Sequence, residues 1–74
     1  MAEQDLNSLK KKFGKSIKKV RMDKGLSLWD VAYNCALDAS KIAKIEKGQF
    51  NITLRTINEL SKGLNESISK LFDF

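Results

Sequence analysis

Four neighbouring side chains near the middle of the chain have the chemistry to contact base edges in a nucleic acid. Ser40 offers a hydroxyl, Lys44 and Lys47 offer ammonium groups, and Ala43 adds a methyl group. At about 3.6 residues per turn these positions share one side of a helix, where they would form a small, basic surface. Such a surface suits the major groove of duplex DNA.

Two short helices joined by a tight turn are predicted between Ser27 and Gly48, and the second carries this surface. Ser27 is a good N-cap, and Asp30 stands three residues later in the capping-box position. The turn falls around Ala36, after which Asp38 caps the second helix. The inward-facing residues are Val31, Ala32, Cys35, Ile42 and Ile45. This arrangement is typical of a helix-turn-helix.

Three further helices are predicted, which makes the fold class all-α. The first helix has an apolar stripe of Leu6, Leu9, Phe13, Ile17 and Val20, and it ends at Gly25. Thr53 caps a fourth helix with Leu54, Ile57, Leu60 and Leu64 facing inward, and Ser67 caps a short fifth. No segment alternates as a strand would. We expect a single domain over residues 1–74, with residues 1–7 frayed.

The composition argues against an enzyme. The 74 residues include no His and one Cys. Cys35 falls at an apolar helical position, where an ordinary buried thiol is expected. No carboxylate pair, glycine-rich phosphate loop or metal-ligand spacing occurs. We therefore predict no catalytic residue, metal, cofactor or small-molecule substrate.

The N-terminal segment and the overall hydropathy indicate a cytoplasmic protein. Residues 1–8 are polar and have no apolar core of the kind that a signal peptide needs. No run of about 20 apolar residues occurs, so no membrane span is expected. A single cysteine is consistent with a reducing compartment.

The net charge of +5 is concentrated in the first helix. Residues 1–24 hold eight Lys or Arg and three Asp or Glu, whereas the remainder of the chain is balanced. This charge predicts attraction to a polyanion, with Lys15 and Lys18 as phosphate contacts. The alternative is a solvated face that keeps a small domain soluble.

Spaced positions along most of the chain match a known family. They are Phe13-Gly14, Ile17, Arg21, Gly25-Leu26-Ser27, Ala32, Ile42, Ile45-Glu46, Gly48, Thr56-Ile57, Leu60 and Leu64. On these residues the chain resembles the Cro/phage-repressor (Xre) regulators, in particular the single-domain controller proteins of restriction-modification systems. The resemblance implies a five-helix, lambda-repressor-like domain that binds operator DNA as a homodimer and has no enzymatic activity.

The resemblance also implies which residues contact DNA. The base-reading positions fall on Ala39, Ser40, Ala43 and Lys44. Lys44 would donate to guanine, Ser40 to several base edges, and Ala39 would offer only methyl contact. The phosphate contacts, at the start of the second helix and after the third, fall on Leu28, Trp29, Lys47 and Asn51.

Two positions depart from the family pattern. Leu28 stands where a phosphate-binding Gln is common, and the next residue, Trp29, would contact the DNA backbone or a neighbouring subunit, or pack against the first helix. Ala36 stands where the turn commonly has Gly. A left-handed Ala36 would cost on the order of 1 kcal/mol, so a reshaped turn is expected.

Two further interactions are predicted. Arg21 and Glu46 match family positions that form a structural ion pair. Leu71, Phe72 and Phe74 end the chain as an apolar cluster that predicts a homodimer interface, although Phe72 has an alternative role as a core residue. The main alternative function is a protein-interaction module, an antitoxin or adaptor, because the same fold serves both roles.

Overall fold

The computed structural model describes residues 5–74, and these form five helices with no strand among them. The helices are α1 (Leu6–Asp23), α2 (Leu28–Tyr33), α3 (Ala39–Glu46), α4 (Leu54–Leu64) and α5 (Ile68–Leu71). The predicted all-α, five-helix architecture is confirmed. Fraying was expected at residues 1–7; residues 1–4 lie outside the described part, and α1 already begins at Leu6.

Each helix begins at a side chain that caps it. The caps are Asp5, Ser27, Asp38, Thr53 and Ser67, and each accepts a hydrogen bond from a backbone N–H of the first turn. These bonds satisfy donors that have no partner inside the helix. Gly48 follows α3 with a φ of 75°, as a left-handed C-terminal cap requires. The helix boundaries therefore follow local chemistry.

The core lies between α1, the α2–α3 pair and α4, and α5 closes it. Its buried members include Phe13, Ile17, Val20, Val31, Leu37, Ile42, Ile45, Leu60, Leu64 and Leu71. Cys35 is half-buried against this cluster rather than fully buried. The predicted inner stripes were partly wrong, because Leu6 and Leu9 are exposed at the start of α1 and Leu54 is exposed at the start of α4.

Leu71 does not belong to a surface cluster, contrary to the sequence-based prediction. Its side chain has 0% exposure, and its carbonyl accepts a 2.8 Å hydrogen bond from the buried hydroxyl of Ser16 on α1. These contacts join α5 to α1. Leu71 therefore holds the short last helix on the core, and an interface on this side would be formed by its neighbours Phe72 and Phe74.

Close packing at Gly14 brings α1 against the end of α3. A Cβ atom at this position would lie 2.6 Å from the carbonyl oxygen of Glu46 and closer still to that of Ile45. No other residue type permits this approach of two backbones. The contact determines how far the C-terminal end of α3 stands from α1.

Candidate nucleic-acid interface

A reciprocal capping box fixes the start of α2. The Ser27 hydroxyl accepts from the Asp30 N–H at 3.0 Å, and the Asp30 carboxylate accepts from the Ser27 N–H at 2.8 Å. The bond from the Ser27 backbone holds the pKa of Asp30 below its ordinary value. The carboxylate therefore stays charged at neutral pH. Its negative charge interacts favourably with the positive, N-terminal end of the helix dipole.

The turn between α2 and α3 is held by a carboxylate from α4. The Ala36 N–H donates to the Glu59 Oε1 at 2.9 Å, and Lys62 lies 3.3 Å from the other oxygen. Ala36 is not among the described residues with positive φ. Ala36 therefore does not adopt the left-handed conformation, and the strain that an alanine would have there is absent.

The hydrogen bond from Ala36 also acts on the ionisation of Glu59. It is the main reason that the pKa of this carboxyl lies below its ordinary value, and Lys62 acts in the same direction. Glu59 is therefore ionised at neutral pH, where a charged acceptor makes the stronger hydrogen bond. The geometry of the helix-turn-helix depends in part on one charge of α4.

Helix α3 buries one side and exposes the opposite one. Ile42 and Ile45 are fully buried, whereas Ser40, Lys44 and Lys47 are exposed. At ~100° per residue, these three exposed side chains fall within an arc of about 60°. The structure therefore brings together the hydroxyl and the two ammonium groups that the spacing predicted.

Two of the predicted base-reading residues lie outside this arc. Ala39 is only 7% exposed, because the first turn of α3 directs its methyl group into the core. It has no methyl surface to offer a base, so the prediction for its side chain was wrong. Ala43 is half-buried at the margin of the exposed face.

A bidentate ion pair attaches the other end of α3 to α1. Arg21 donates from Nε to Glu46 Oε2 at 2.7 Å and from Nη2 to Oε1 at 3.0 Å. The side chains are 13% and 6% exposed, and Nη1 donates to the Leu26 carbonyl at 2.9 Å. The bonds to Glu46 raise the pKa of Arg21. The predicted pair is present, and it joins the C-terminal end of α3 to α1 and to the loop that follows α1.

The lysines of α1 do not all lie on the side of α3. Lys18 is one helical turn from Gly14, on the edge of α1 that faces α3. Lys15 instead lines a cleft between α1 and α5 together with Lys12, Lys19 and Lys70. Lys11 lies against Gly48, because a Cβ atom added to Gly48 would come within 2.8 Å of the Lys11 Cγ. The sequence interpretation did not single out Lys11.

The start of α2 presents an aromatic side chain to solvent. Trp29 is 76% exposed, which excludes the alternative that it packs against α1. Leu28 is half-buried against the core, and its aliphatic side chain has no hydrogen-bond donor, so it could bind a phosphate only through its backbone N–H. Tyr33, at the end of α2, is also exposed.

Within residues 5–74, no cluster of three or more His, Cys, Asp or Glu side chains has the arrangement of a metal site. The described helices also include none that is long and apolar enough to cross a membrane.

Comparison with known proteins identifies relatives that match almost the whole chain. No family model matches it. The control protein C.BamHI of Bacillus amyloliquefaciens is 32% identical over 69 residues, which span 92% of this chain and 85% of the relative. The chain belongs to the family of restriction-modification control proteins.

Solved structures of other control proteins have the same fold. C.AhdI from Aeromonas hydrophila superposes with a TM-score of 0.87 at 33% identity, covering 93% of this chain and all of that one. C.Esp1396I, solved as a tetramer in complex with its natural 35 base-pair operator, gives a TM-score of 0.80 at 34% identity. That match covers 96% of this control protein and 90% of C.Esp1396I.

Two side chains near the exposed face of this control protein were not singled out from sequence. Lys11 packs beside Gly48, and the ammonium group of Lys41 lies 5.0 Å from the centroid of the Phe50 ring. Neither belongs to a short motif. Lys11 is one of several lysines on a basic helix and carries no local signal, and the Lys41–Phe50 contact needs the chain to reverse after α3.

Proposed function

We propose that this control protein binds duplex operator DNA sequence-specifically and regulates transcription as a homodimer. The observation that carries the proposal is the exposed face of α3, where Ser40, Lys44 and Lys47 stand together on a helix fixed at both ends. The structure of C.Esp1396I on its operator supports the same use of the shared fold. In this role the protein would bind DNA in the cytoplasm and would catalyse no reaction.

Lys44 and Ser40 are the proposed base-reading residues. An ammonium group donates to guanine O6 or N7, whereas a hydroxyl bonds several base edges and discriminates less. Ala43, at the margin of the face, would contribute contact through its methyl group. Lys44 is therefore expected to account for most of the discrimination.

The proposed phosphate contacts flank α3. Lys47 and Asn51 are exposed at and after its C-terminal end, and Lys18 lies on the α3 side of α1. Lys15, which faces the α1–α5 cleft, is expected to act mainly at long range. Trp29 would pack against the DNA backbone, and Leu28 would contribute only its N–H. Contacts of this kind position the protein without reading sequence.

The proposed dimer interface is formed by the aromatic side chains that end the chain. Phe72 is 43% exposed and its ring centroid lies 4.9 Å from that of Phe13, so it is partly a core residue. Phe74 is 56% exposed and lies 6.2 Å from Phe72. Two copies joined here would meet half-sites about 34 Å apart.

Selection from a random duplex library tests this function. We expect enrichment of a symmetric sequence whose half-sites are separated by about one helical turn. Binding to the enriched duplex should exceed binding to a scrambled duplex, and both should weaken as salt rises. Selection that enriches no sequence would contradict the proposal.

The second candidate function is a protein-interaction module, favoured by the exposed aromatic side chains of α2. Trp29 and Tyr33 are both exposed and separated by one helical turn. If they form a protein-binding surface, Trp29→Ala should leave the affinity for every duplex unchanged. If Trp29 contacts the DNA backbone, the same variant should weaken binding to specific and scrambled duplexes alike.

A further inference from the structure

The ammonium group of Lys41 forms no ion pair with a carboxylate among the described residues. The ion pairs there join Arg21 to Glu46, Lys24 to Glu66 and Lys62 to Glu59. The ammonium group of Lys41 instead lies over the ring of Phe50, 5.0 Å from its centroid. An aromatic ring attracts a cation without neutralising its charge. The position of this lysine is thus restricted, and its charge remains available.

The backbone on both sides of this contact is well fixed. The Lys41 N–H donates to the Asp38 carboxylate at 2.7 Å in the first turn of α3. Phe50 packs partly against the core, two residues after the left-handed Gly48. The ring therefore connects the first turn of α3 with the loop that follows α3.

Lys41 lies beside the proposed base-reading face. At ~100° per residue it is about 60° from Lys44, on the side of α3 opposite to Ala43. It is half-buried, unlike the exposed Ser40 and Lys44. A helix lying in a groove has its flanks next to the sugar-phosphate walls, where cations are favoured and base edges are out of reach.

We propose that Lys41 is a phosphate-contacting residue and that Phe50 is the positioning residue that holds it beside the recognition helix. This inference rests on the proposed DNA-binding function. Because the ring already restricts the long side chain, less conformational entropy is lost when the ammonium group meets a phosphate. The contact lets one lysine connect both α3 and the following loop to the DNA backbone.

Salt-dependent binding tests the role of Lys41. Fluorescence anisotropy would measure the affinity of the parent protein and of three variants for the selected duplex and for a scrambled duplex. The variants are Lys41→Gln, Lys41→Arg and the control Lys19→Gln. Lys19 is exposed on the α5 side of α1 and loses the same charge. We expect Lys41→Gln to weaken binding to both duplexes about equally. It should also reduce the slope of log affinity against log salt concentration by about 0.9 per bound subunit. Lys41→Arg should keep the slope.

A double-mutant cycle tests Phe50. Phe50→Leu keeps an apolar side chain and removes the ring face, so it should weaken binding severalfold when Lys41 is present. In the Lys41→Gln background it should have no further effect. Thermal melting would confirm that each variant is folded. An equal loss in both backgrounds would overturn the positioning role of Phe50.

The outcomes separate this inference from the function on which it rests. If the parent protein binds duplex DNA but Lys41→Gln matches Lys19→Gln, the assignment of Lys41 is wrong and the proposed function stands. If Lys41→Gln weakens binding to the selected duplex only, Lys41 reads bases and its assignment as a phosphate contact is overturned. If the parent protein shows no salt-dependent duplex binding, both proposals are overturned.

Discussion

At the scale of single residues, one ion pair joins the C-terminal end of α3 to α1. Arg21 and Glu46 make two hydrogen bonds to each other, and both side chains are largely withdrawn from solvent. A charged group left there without its partner would be poorly solvated. The pair therefore links the stability of the domain to the position of the helix that we propose reads DNA.

Removing one partner should be more harmful than removing both. Arg21→Met is expected to lower the free energy of unfolding by ~3 kcal/mol, because it leaves the Glu46 carboxylate unpaired. Arg21→Met combined with Glu46→Met should recover part of this loss, since no charge then remains to desolvate. Urea denaturation of the two variants measures the difference. An unfolding free energy that is unchanged in Arg21→Met would show that the pair is not structural.

Single residues also mark where sequence interpretation was insufficient. Ala39 and Leu71 were assigned to surfaces, yet both are buried. Ala39 lies three residues before Ile42, so helical periodicity already places it towards the buried side of α3; its assignment to the surface came from the family resemblance. Leu71 belongs to a four-residue helix, too short for apolar periodicity to distinguish its inner side from its outer side. The orientation of Leu71 required tertiary contacts that the sequence does not display.

At the scale of elements, the helices were largely predictable and the turn between α2 and α3 was not. Caps such as Ser27, Asp38 and Thr53 are local signals, and all act as predicted. The conformation of Ala36 depends on Glu59, which is 23 residues away. An interaction at that separation leaves no local pattern, so the contact between the turn and α4 was not predictable from sequence.

The contribution of Glu59 to stability should depend on pH. Its pKa is lowered in the folded protein, so the stabilisation is present above the ordinary pKa of Glu, about 4.3, and is lost as pH falls through the folded value. Glu59→Gln keeps an acceptor for the Ala36 N–H but removes the charge. We expect its melting temperature to be lower than that of the parent at pH 7 and the difference to shrink at pH ~3. Equal differences at both pH values would contradict this.

At the scale of the whole molecule, the aromatic residues that end the chain adjoin the lysines of α1. The exposed lysines of α3 and the adjacent edge of α1 form one basic surface. Phe72 and Phe74 follow α5; Phe72 lines a cleft with Lys10, and Phe74 lines one with Lys15 and Lys19. The proposed dimer interface is therefore bordered by basic side chains. The net charge of +5 was evident from sequence, but its division between the α3 side and the α1–α5 cleft was not.

The proposed dimer should depend on the last aromatic residue. Phe74→Asp introduces a charge into the interface without touching the fully buried core, so it should shift the protein towards monomer in sedimentation equilibrium. Tyr33→Ser, which removes an exposed aromatic side chain from α2, is the matched control and should leave the dimer intact. If the parent protein is monomeric at high concentration both with and without DNA, the interface does not exist.

The central claim, that α3 reads bases, is tested most directly by competition binding of Lys44→Ala and Lys18→Ala over a set of operator variants at several salt concentrations. Lys44→Ala should cost about 1 to 3 kcal/mol on the preferred duplex and relax the preference at one base position. Lys18→Ala should weaken all duplexes about equally and flatten the salt dependence by about one unit of slope for each phosphate group that is no longer neutralised. Identical profiles for the two variants would contradict the assignment of Lys44 to base recognition and favour the protein-interaction module.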